Sequence, residues 1–226
     1  MRFVVAALAL TVATIGCSDP AKDAPKAVVT EAPAAVAPVA AAPAAVDPAA
    51  AAAAAPVALP EGTKYAFSNA DSKVMFTGSK VTGKHDGVFN TFAGTVVIPE
   101  GKAELAAVTV EITLASAKTD AEKLDGHLQS PDFFDVANHP KAVFTSTKVE
   151  RAADGKSTVT GNLTMKGQTK QISFPAVTTV EGDVVSATAE FAINRKDFNI
   201  VYAGKADDLI RDEVLVKLEI KAKKAL

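Results

Sequence analysis

From about residue 62 onward, apolar and polar residues alternate in short runs with the two-residue period of a β-strand. The cleanest run covers residues 108–114, where valine, isoleucine and leucine alternate with threonine and glutamate. Seven further runs cover residues 73–78, 88–98, 142–149, 158–165, 172–176, 185–193 and 214–220. Strands with one apolar and one polar face are typical of antiparallel sheets that are buried on one side. The pattern therefore predicts an all-β domain with about eight antiparallel strands.

Glycine-containing turn signals separate these runs and predict short hairpin connections. They lie at Asp86-Gly87, Glu100-Gly101, Asp154-Gly155, Lys166-Gly167 and Glu181-Gly182. Residues 119–134 lack the alternation and are rich in helix formers, so we expect a short helix or ordered loop there. Residues 203–212 form a second long connection. About eight such strands can close into a barrel whose interior is either filled or holds one ligand, although alternation alone also fits a two-sheet sandwich.

The first sixteen residues have the layout of a bacterial secretory signal, with Arg2, an apolar run at 3–13 and a small residue at Gly16. The run is too short to span a bilayer as a helix. Cys17 is the only cysteine of the chain, and its position after a small residue is similar to that of a lipobox cysteine. We therefore predict that Cys17 is acylated and tethers the protein to a membrane. Cleavage nearby without acylation is the alternative.

Alanine, proline and valine dominate residues 18–61, which contain eight prolines. Regular prolines favour extended, partly stiff chain over a stable helix. We expect a signal peptide at 1–16, a disordered, lipid-anchored linker at 17–61 that acts as a spacer, and one folded domain at 62–226. The predicted location is the periplasmic side of the bacterial cell envelope.

The charge balance excludes one class of partner. The chain has 24 basic and 26 acidic residues, which are interleaved along the folded part and give a net charge of −2. Because no basic stripe is available to neutralise a phosphate backbone, we expect no nucleic-acid binding.

A phosphate-loop-like segment at 78–84 does not predict nucleotide binding. The residue that follows is His85, where that loop needs serine or threonine to bind Mg²⁺, and a strand follows where a helix is required. No nucleophile and base with a defensible spacing is visible, so the sequence predicts neither a cofactor nor an enzyme.

One polar cluster has two interpretations. His127 and His139, with Asp125, Asp132 and Asp135 nearby, provide nitrogen and oxygen ligands for a metal, but their spacing matches no established zinc or iron pattern. The interpretation that we favour is structural, with these groups capping a helix and bonding loop backbone beside the barrel end.

Phe133, Phe134 and Arg195 also have two interpretations each. Two adjacent phenylalanines in a polar segment either plug one end of the barrel or line the entrance to a cavity. Arg195 either forms a salt bridge, with Asp132, Asp135 or Asp197 as the candidates, or binds a ligand head group.

Several segments are similar to those of the YceI-like family, and together they cover about residues 63–223. The matching segments are 81–94, 124–136, 140–146, 161–169, 191–198 and 212–214. The resemblance implies a lipocalin-like antiparallel barrel whose apolar interior holds a polyisoprenoid such as a prenyl quinone or prenyl alcohol. It implies a periplasmic location and no catalytic residues. The lipobox and the linker depart from this pattern and favour a tethered carrier, reservoir or sensor.

We therefore predict a tunnel for an isoprenoid tail. Its predicted lining consists of Phe76, Phe92, Val110, Ile112, Phe144, Leu163, Phe174, Phe191 and Ile193. Phe133, Phe134, His127 and Arg195 are predicted to flank the head-group end. The expected partners are an isoprenoid lipid and the membrane through acylated Cys17, and the sequence leaves open whether two copies of the chain form a homodimer. Two alternatives stay open: a packed barrel that binds other envelope proteins, and a lipid- or quinone-modifying enzyme with a metal near His127 and His139.

Overall fold

The computed structural model describes residues 19–33, 60–99, 106–152 and 154–225, which form strands with one short α-helix. None of the described helices is long and apolar enough to cross a membrane. The strands are β1 Val28–Glu31, β2 Thr63–Ser68, β3 Lys73–Lys80, β4 Gly83–Phe89, β5 Phe92–Ile98, β6 Ala107–Thr113, β7 Ala117–Thr119, β8 Lys141–Arg151, β9 Lys156–Met165, β10 Gln168–Glu181, β11 Val184–Asn194, β12 Gly204–Lys205, β13 Asp208–Leu209 and β14 Glu213–Lys224. The helix α1 is Glu122–Gln129, and 3₁₀ turns lie at Leu114–Ser116 and Arg195–Phe198.

Eight antiparallel strands close into a barrel, in the order β2-β5-β6-β8-β9-β10-β11-β14 and back to β2. This confirms the predicted all-β barrel and excludes the open sandwich. The closing contact between β14 and β2 involves only Lys223 and Lys224 of β14. Over Leu215–Glu219 the same edge of β14 pairs with β3, which continues through β4 to β7. The barrel therefore carries a three-stranded extension on one side.

Most of the predicted connections are confirmed. Gly155, Gly167 and Gly182 lie in the turns between β8 and β9, β9 and β10, and β10 and β11, each with a positive φ. Helix α1 lies within the predicted 119–134 segment. The Glu100-Gly101 turn lies outside the described residues.

Two local predictions are wrong. Asp86-Gly87 is not a turn but part of β4, paired with Thr77 and Phe76 of β3. The single strand predicted at 88–98 is two strands, because Asn90 and Thr91 turn the chain and donate their backbone N–H groups to the carbonyl and hydroxyl of Ser116.

The beginning of the linker differs from the disorder expected for it. Residues 28–31 form β1, which pairs with β10 from Ser173 to Lys170, and Ala27 donates its N–H to the carbonyl of Ala192 at 2.8 Å. The physical reason is an open strand edge, since β10 pairs with β11 only from Val177 onward. Ala27 and Val29 also pack against the core. This segment therefore completes the barrel wall, and residues 34–59 lie outside the described part.

The two ends of the barrel are built differently. We call the end that carries α1, the Lys166-Gly167 turn and the Arg195–Phe198 turn the helix end. The opposite end carries the β8–β9 and β10–β11 turns and is called the hairpin end. Strand β8 runs from the helix end at Lys141 to the hairpin end at Arg151.

Three glycines, in β4, β5 and β9, each lie under a phenylalanine ring from the neighbouring strand. A Cβ on Gly87, Gly94 or Gly161 would lie within 2.5 Å of the Cζ atom of Phe76, Phe67 or Phe144, respectively. Bare backbone at these positions lets bulky rings lie flat against the wall.

Gly161→Ala should lower the free energy of unfolding by about 1–3 kcal/mol, the usual cost of overpacking. The added methyl would lie 2.5 Å from Phe144 Cζ and 2.6 Å from the carbonyl oxygen of Thr145, and the backbone oxygen cannot move aside cheaply. Urea denaturation measures the change. Gly78→Ala in β3 is the matched control, because its methyl meets nothing within 4 Å. Equal stability of the two variants would contradict the prediction.

Candidate functional site

The barrel encloses a cavity of about 230 Å³ whose wall is almost entirely apolar. Among the residues that line it, only four have polar side chains: Arg151, Ser157, Thr178 and Thr188. A largely apolar, concave site with few polar groups is typical of a small-molecule pocket. The arrangement can hold an apolar molecule, but it offers few groups for chemistry on one.

Eight of the nine residues predicted to line the tunnel do line this cavity. They are Phe76, Val110, Ile112, Phe144, Leu163, Phe174, Phe191 and Ile193. The exception is Phe92, which is buried in the core with its ring centroid 6.5 Å from that of Phe67, a residue that lines the cavity. Phe92 therefore lies on the same inner face as Ile112 and Val96, but in the packed core beside the cavity. The binding role of the eight residues stays a prediction.

Aromatic rings give the cavity a stiff wall. Phe174 and Phe191 are stacked with their centroids 4.2 Å apart, and Phe144 lies 5.8 Å from Phe174. Phe76 lies 5.2 Å from Phe89, which also lines the cavity. Such pairs add to the free energy gained from burial and hold the rings in place.

The helix end is plugged by side chains that sequence reasoning had assigned to the head group. The ring of Phe134 lies 5.9 Å from Phe89, and the ring of Phe133 packs edge-on against His127 at 4.8 Å and against Tyr202 at 5.5 Å. Both phenylalanines are buried, and none of Phe133, Phe134 and His127 lines the cavity. The structure thus places them in a plug at this end, and their predicted role beside a head group stays a prediction.

The polar cluster around α1 is bonded internally. His127 Nε2 lies 3.0 Å from Asp132 Oδ2, and the side chain of Asn138 donates to both carboxylate oxygens of Asp135 at 3.0 Å. His139 donates its backbone N–H to the carbonyl of Asp135. In the part of the chain that the structure describes, no three His, Cys, Asp or Glu residues are grouped closely enough to hold a metal ion. The contacts support the structural interpretation of this cluster.

Asp125 fixes α1 to the barrel. Its carboxylate accepts hydrogen bonds from the hydroxyl of Thr119 at 2.8 Å and the backbone N–H of Thr119 at 2.7 Å, and the Lys118 ammonium lies 3.2 Å away. The hydrogen bond from the Thr119 hydroxyl, which favours the charged form, is the main reason why the pKa of Asp125 lies below its usual value.

Arg195 is buried at the helix end and has a structural set of partners. Its guanidinium donates to the backbone carbonyls of Ile200, Arg211 and Ile210 at 2.6, 3.0 and 3.3 Å, and to Asp212 Oδ1 at 3.0 Å. The salt-bridge partner is thus Asp212 and none of the three carboxylates considered from the sequence. Arg195 does not line the cavity, and its predicted place beside a head group stays a prediction.

Sequence reasoning missed all four polar residues of the cavity wall, of which Arg151, Ser157 and Thr178 lie at the hairpin end. Strand β8 contains an irregularity between Ser146 and Lys148. This shift changes which residues of β8 face inward, so Ala142 and Phe144 line the cavity before it, and Val149 and Arg151 after it. A bulge reverses the inward and outward faces of a strand without any clear sequence signal.

Comparison with known proteins gives a consistent family. A YceI-like domain model matches residues 65–222. A UPF0312 protein of Pectobacterium atrosepticum and the protein YceI of Salmonella arizonae are each 38 % identical over 120 residues, which cover 50 % of this chain. The chain spans 62 % of the length of these curated relatives.

Solved structures show the same fold. Burkholderia cenocepacia BcnA is 25 % identical, with a TM-score of 0.60 over 69 % of this chain and 98 % of that one. A polyisoprenoid binding domain from Saccharophagus degradans, implicated in plant cell wall breakdown, is 16 % identical, with a TM-score of 0.59 over 73 % of this chain and 100 % of that one. At that identity the second likeness shows the fold alone. Because the domain model covers most of the chain, this protein belongs to the YceI-like domain family.

Proposed function

We propose that the barrel binds a long apolar molecule of the isoprenoid class, a polyprenyl chain or a prenyl quinone, and carries or stores it in the cell envelope. The observation that supports this proposal best is the cavity of about 230 Å³ inside a wall of aromatic and aliphatic side chains. The volume lies just below the roughly 300–1,000 Å³ of common ligand pockets, which favours a narrow chain over a bulky ring system. The polyisoprenoid-binding neighbour from Saccharophagus degradans agrees with this ligand class.

The expected affinity is moderate. Burying ~400 Å² of an isoprenoid tail at about 25 cal/mol per Å² contributes about 10 kcal/mol before costs. Ordering a flexible tail and losing its free motion offset a large part of that contribution. We therefore expect dissociation constants in the micromolar range.

The cavity also bears on the two alternative functions. A barrel that only binds other proteins would be expected to have a filled interior, whereas this one leaves space between its aromatic rings. A metal-dependent activity near His127 and His139 is less well supported, since Asp132 and the rings of Phe133 and Tyr202 already engage the side chain of His127. We therefore propose binding without catalysis.

We further propose that acylated Cys17 holds the barrel close to the membrane surface. Cys17 lies outside the described residues, but the chain is packed on the barrel from Asp19 onward. Asp19 Oδ2 lies 3.5 Å from Arg211 Nη1, and Ala21 is buried against Ala192 and Leu215. An anchor two residues before Asp19 would hold this packed segment next to the membrane, so residues 17–33 would not act as the spacer predicted from their composition.

Native mass spectrometry of the full chain, purified from a bacterial envelope, tests the ligand. We expect an added mass of several hundred daltons that disappears under denaturing conditions and that organic extraction identifies as a prenyl compound. An acyl group on Cys17 is covalent and would persist under both conditions, so the two additions are separable. A ligand-free native mass that persists after prenyl quinone is added would favour the protein-binding alternative.

A further inference from the structure

Among the described residues, the exposed part of the cavity wall lies toward the hairpin end and not at the helix end. At the helix end the lining residues Leu114, Ala142 and Ile193 are buried, and Phe134 and Phe198 lie in the same buried core. Toward the hairpin end the lining includes three exposed residues, Arg151, Thr188 and Val180, the last of which is 39 % exposed. A ligand with a polar end would therefore keep that end at the hairpins and send its apolar tail toward the plug.

The same end holds the one ionic side chain of the cavity wall. Arg151 is the only charged residue that lines the cavity in the described part of the chain, beside the hydroxyl pair of Ser157 and Thr178, whose oxygens lie 2.8 Å apart. Ser157 is buried, so this hydroxyl pair faces the interior rather than bulk water.

Arg151 has little else to bind. The described residues give its guanidinium one long hydrogen bond, to the carbonyl of Thr178 at 3.4 Å, and no carboxylate within 4.0 Å. Three lysines of this end are paired, Lys148 with Glu150 at 2.7 Å, Lys156 with Asp154 at 2.9 Å and Lys224 with Asp183 at 3.4 Å. A guanidinium has five N–H donors, and most of those on Arg151 have no acceptor among the described residues.

The irregularity in β8 is what brings this arginine inward. Before it, the inward residues are Ala142 and Phe144; after it, they are Val149 and Arg151. Without the shift, the side chain of Arg151 would point outward to solvent, on the same face of β8 as Val143 and Thr145. Bulges that re-aim a side chain are frequent next to binding sites.

We infer that Arg151, with Ser157 and Thr178 beside it, forms a subsite for an anionic head group, a phosphate or a carboxylate, on the lipid whose tail fills the cavity. The inference rests on the proposed function and deepens it by fixing the orientation of the ligand. Arginine suits this role because its planar fork of donors matches the oxygens of phosphate and carboxylate groups.

Isothermal titration of the delipidated full chain with farnesyl phosphate and with farnesol tests the subsite, because the two probes share a tail and differ in the head group. We expect farnesyl phosphate to bind about tenfold more tightly, the usual effect of one charge-assisted hydrogen-bonded pair. Arg151→Met should remove this preference and leave the affinity for farnesol unchanged. Lys156→Met is the matched control, since it removes the same charge from the outer face of the same end and should keep the preference. Palmitate, titrated beside farnesyl phosphate, shows whether the subsite prefers carboxylate or phosphate.

Equal affinity of the unmodified chain for farnesyl phosphate and farnesol, or an unchanged preference in Arg151→Met, would overturn the subsite and leave the proposed function standing. Loss of the preference in Lys156→Met to the same degree would also overturn it, since the effect would then come from general charge. Failure of the unmodified chain to bind either probe would overturn the proposed function and the subsite together.

Discussion

Replacing Leu163 with aspartate is expected to weaken the binding of a prenyl ligand by more than about 100-fold, which corresponds to at least ~2.7 kcal/mol. Leu163 lines the cavity in the part of β9 nearer the helix end, beside Phe144 on the neighbouring strand. A bound tail would cover the new carboxylate and remove its water without offering a hydrogen-bond donor, and burying an unpaired charge is strongly unfavourable. Titration of prenyl quinone or farnesol into the delipidated full chain measures the loss.

Two further variants separate this effect from damage to the fold. Thr158→Asp places the same charge on the exposed outer face of β9 and should bind as the unmodified chain does. Ala189→Phe fills the cavity with apolar volume and should also block binding, although it adds no charge. Leu163→Asp protein that is folded, as judged by urea denaturation, and still binds with unmodified affinity would remove Leu163 from the site. Full binding by Ala189→Phe would place the ligand outside the barrel.

The lining of this cavity was largely predictable because successive residues of a barrel strand point alternately into the interior and out to solvent. Each strand has one face toward the interior, so alternation predicts the inward residues once the strand is recognised. Val110 and Ile112 of β6, and Phe191 and Ile193 of β11, face the cavity as their alternation indicates. Barrel closure did not follow from the alternation, which also fits a two-sheet sandwich, and was indicated by the resemblance to the YceI-like family.

Features that depend on contacts between distant strands were not predictable. Gly87 resembles part of a turn because Asp-Gly is a strong turn signal, yet it lies within β4 under the ring of Phe76. Both a turn and a close approach of backbone to a ring select glycine, and one sequence does not distinguish them. Strand β1 could not be predicted either, because it forms by pairing with the open edge of β10, about 140 residues later in the sequence.

The sequence placed the head group beside Phe133, Phe134 and His127, whereas the proposed subsite lies at the opposite end of the barrel. Phe133, Phe134 and His127 stand out in the sequence as aromatic and polar residues in an irregular segment, and they serve as a plug. The charged residue of the cavity wall, Arg151, looks like an ordinary surface residue next to Glu150 unless the irregularity in β8 is known. The side chains that stand out in the sequence thus form the plug at the helix end. Arg151, which does not stand out, lines the cavity at the hairpin end.

Arg195→Met should lower the free energy of unfolding by about 3 kcal/mol or more, because each backbone carbonyl left without a donor costs about 1–3 kcal/mol. Arg195 is 4 % exposed, and its guanidinium donates to three backbone carbonyls as well as to Asp212, whereas methionine has no donor for any of them. The carbonyls belong to Ile200, Ile210 and Arg211, so the loop between β11 and β14 would lose the contacts that fix it over the helix end. Urea denaturation of the full chain measures the loss.

Lys196→Met is the matched control for this prediction. Lys196 follows Arg195 in the same 3₁₀ turn and binds the other carboxylate oxygen of Asp212 at 2.8 Å, but its side chain is half exposed. Removing an exposed pair of this kind should change the unfolding free energy by no more than about 1 kcal/mol. Comparable losses in the two variants would mean that the charge on Asp212, and not the buried network of carbonyls, explains the effect.

The Arg195→Met variant also decides between the two roles that the sequence allowed for Arg195, a salt bridge or a head-group contact. If the arginine is structural, Arg195→Met that remains folded at low temperature should bind farnesyl phosphate and farnesol with the same tenfold preference as the unmodified chain, because that preference is assigned to Arg151 at the opposite end. If Arg195 binds the head group, the preference should vanish while stability changes little. A structural role changes the free energy of unfolding, whereas a binding role changes the ratio of the affinities for the two probes. The two roles are therefore distinguished by separate measurements. Its four buried hydrogen bonds lead us to expect the first.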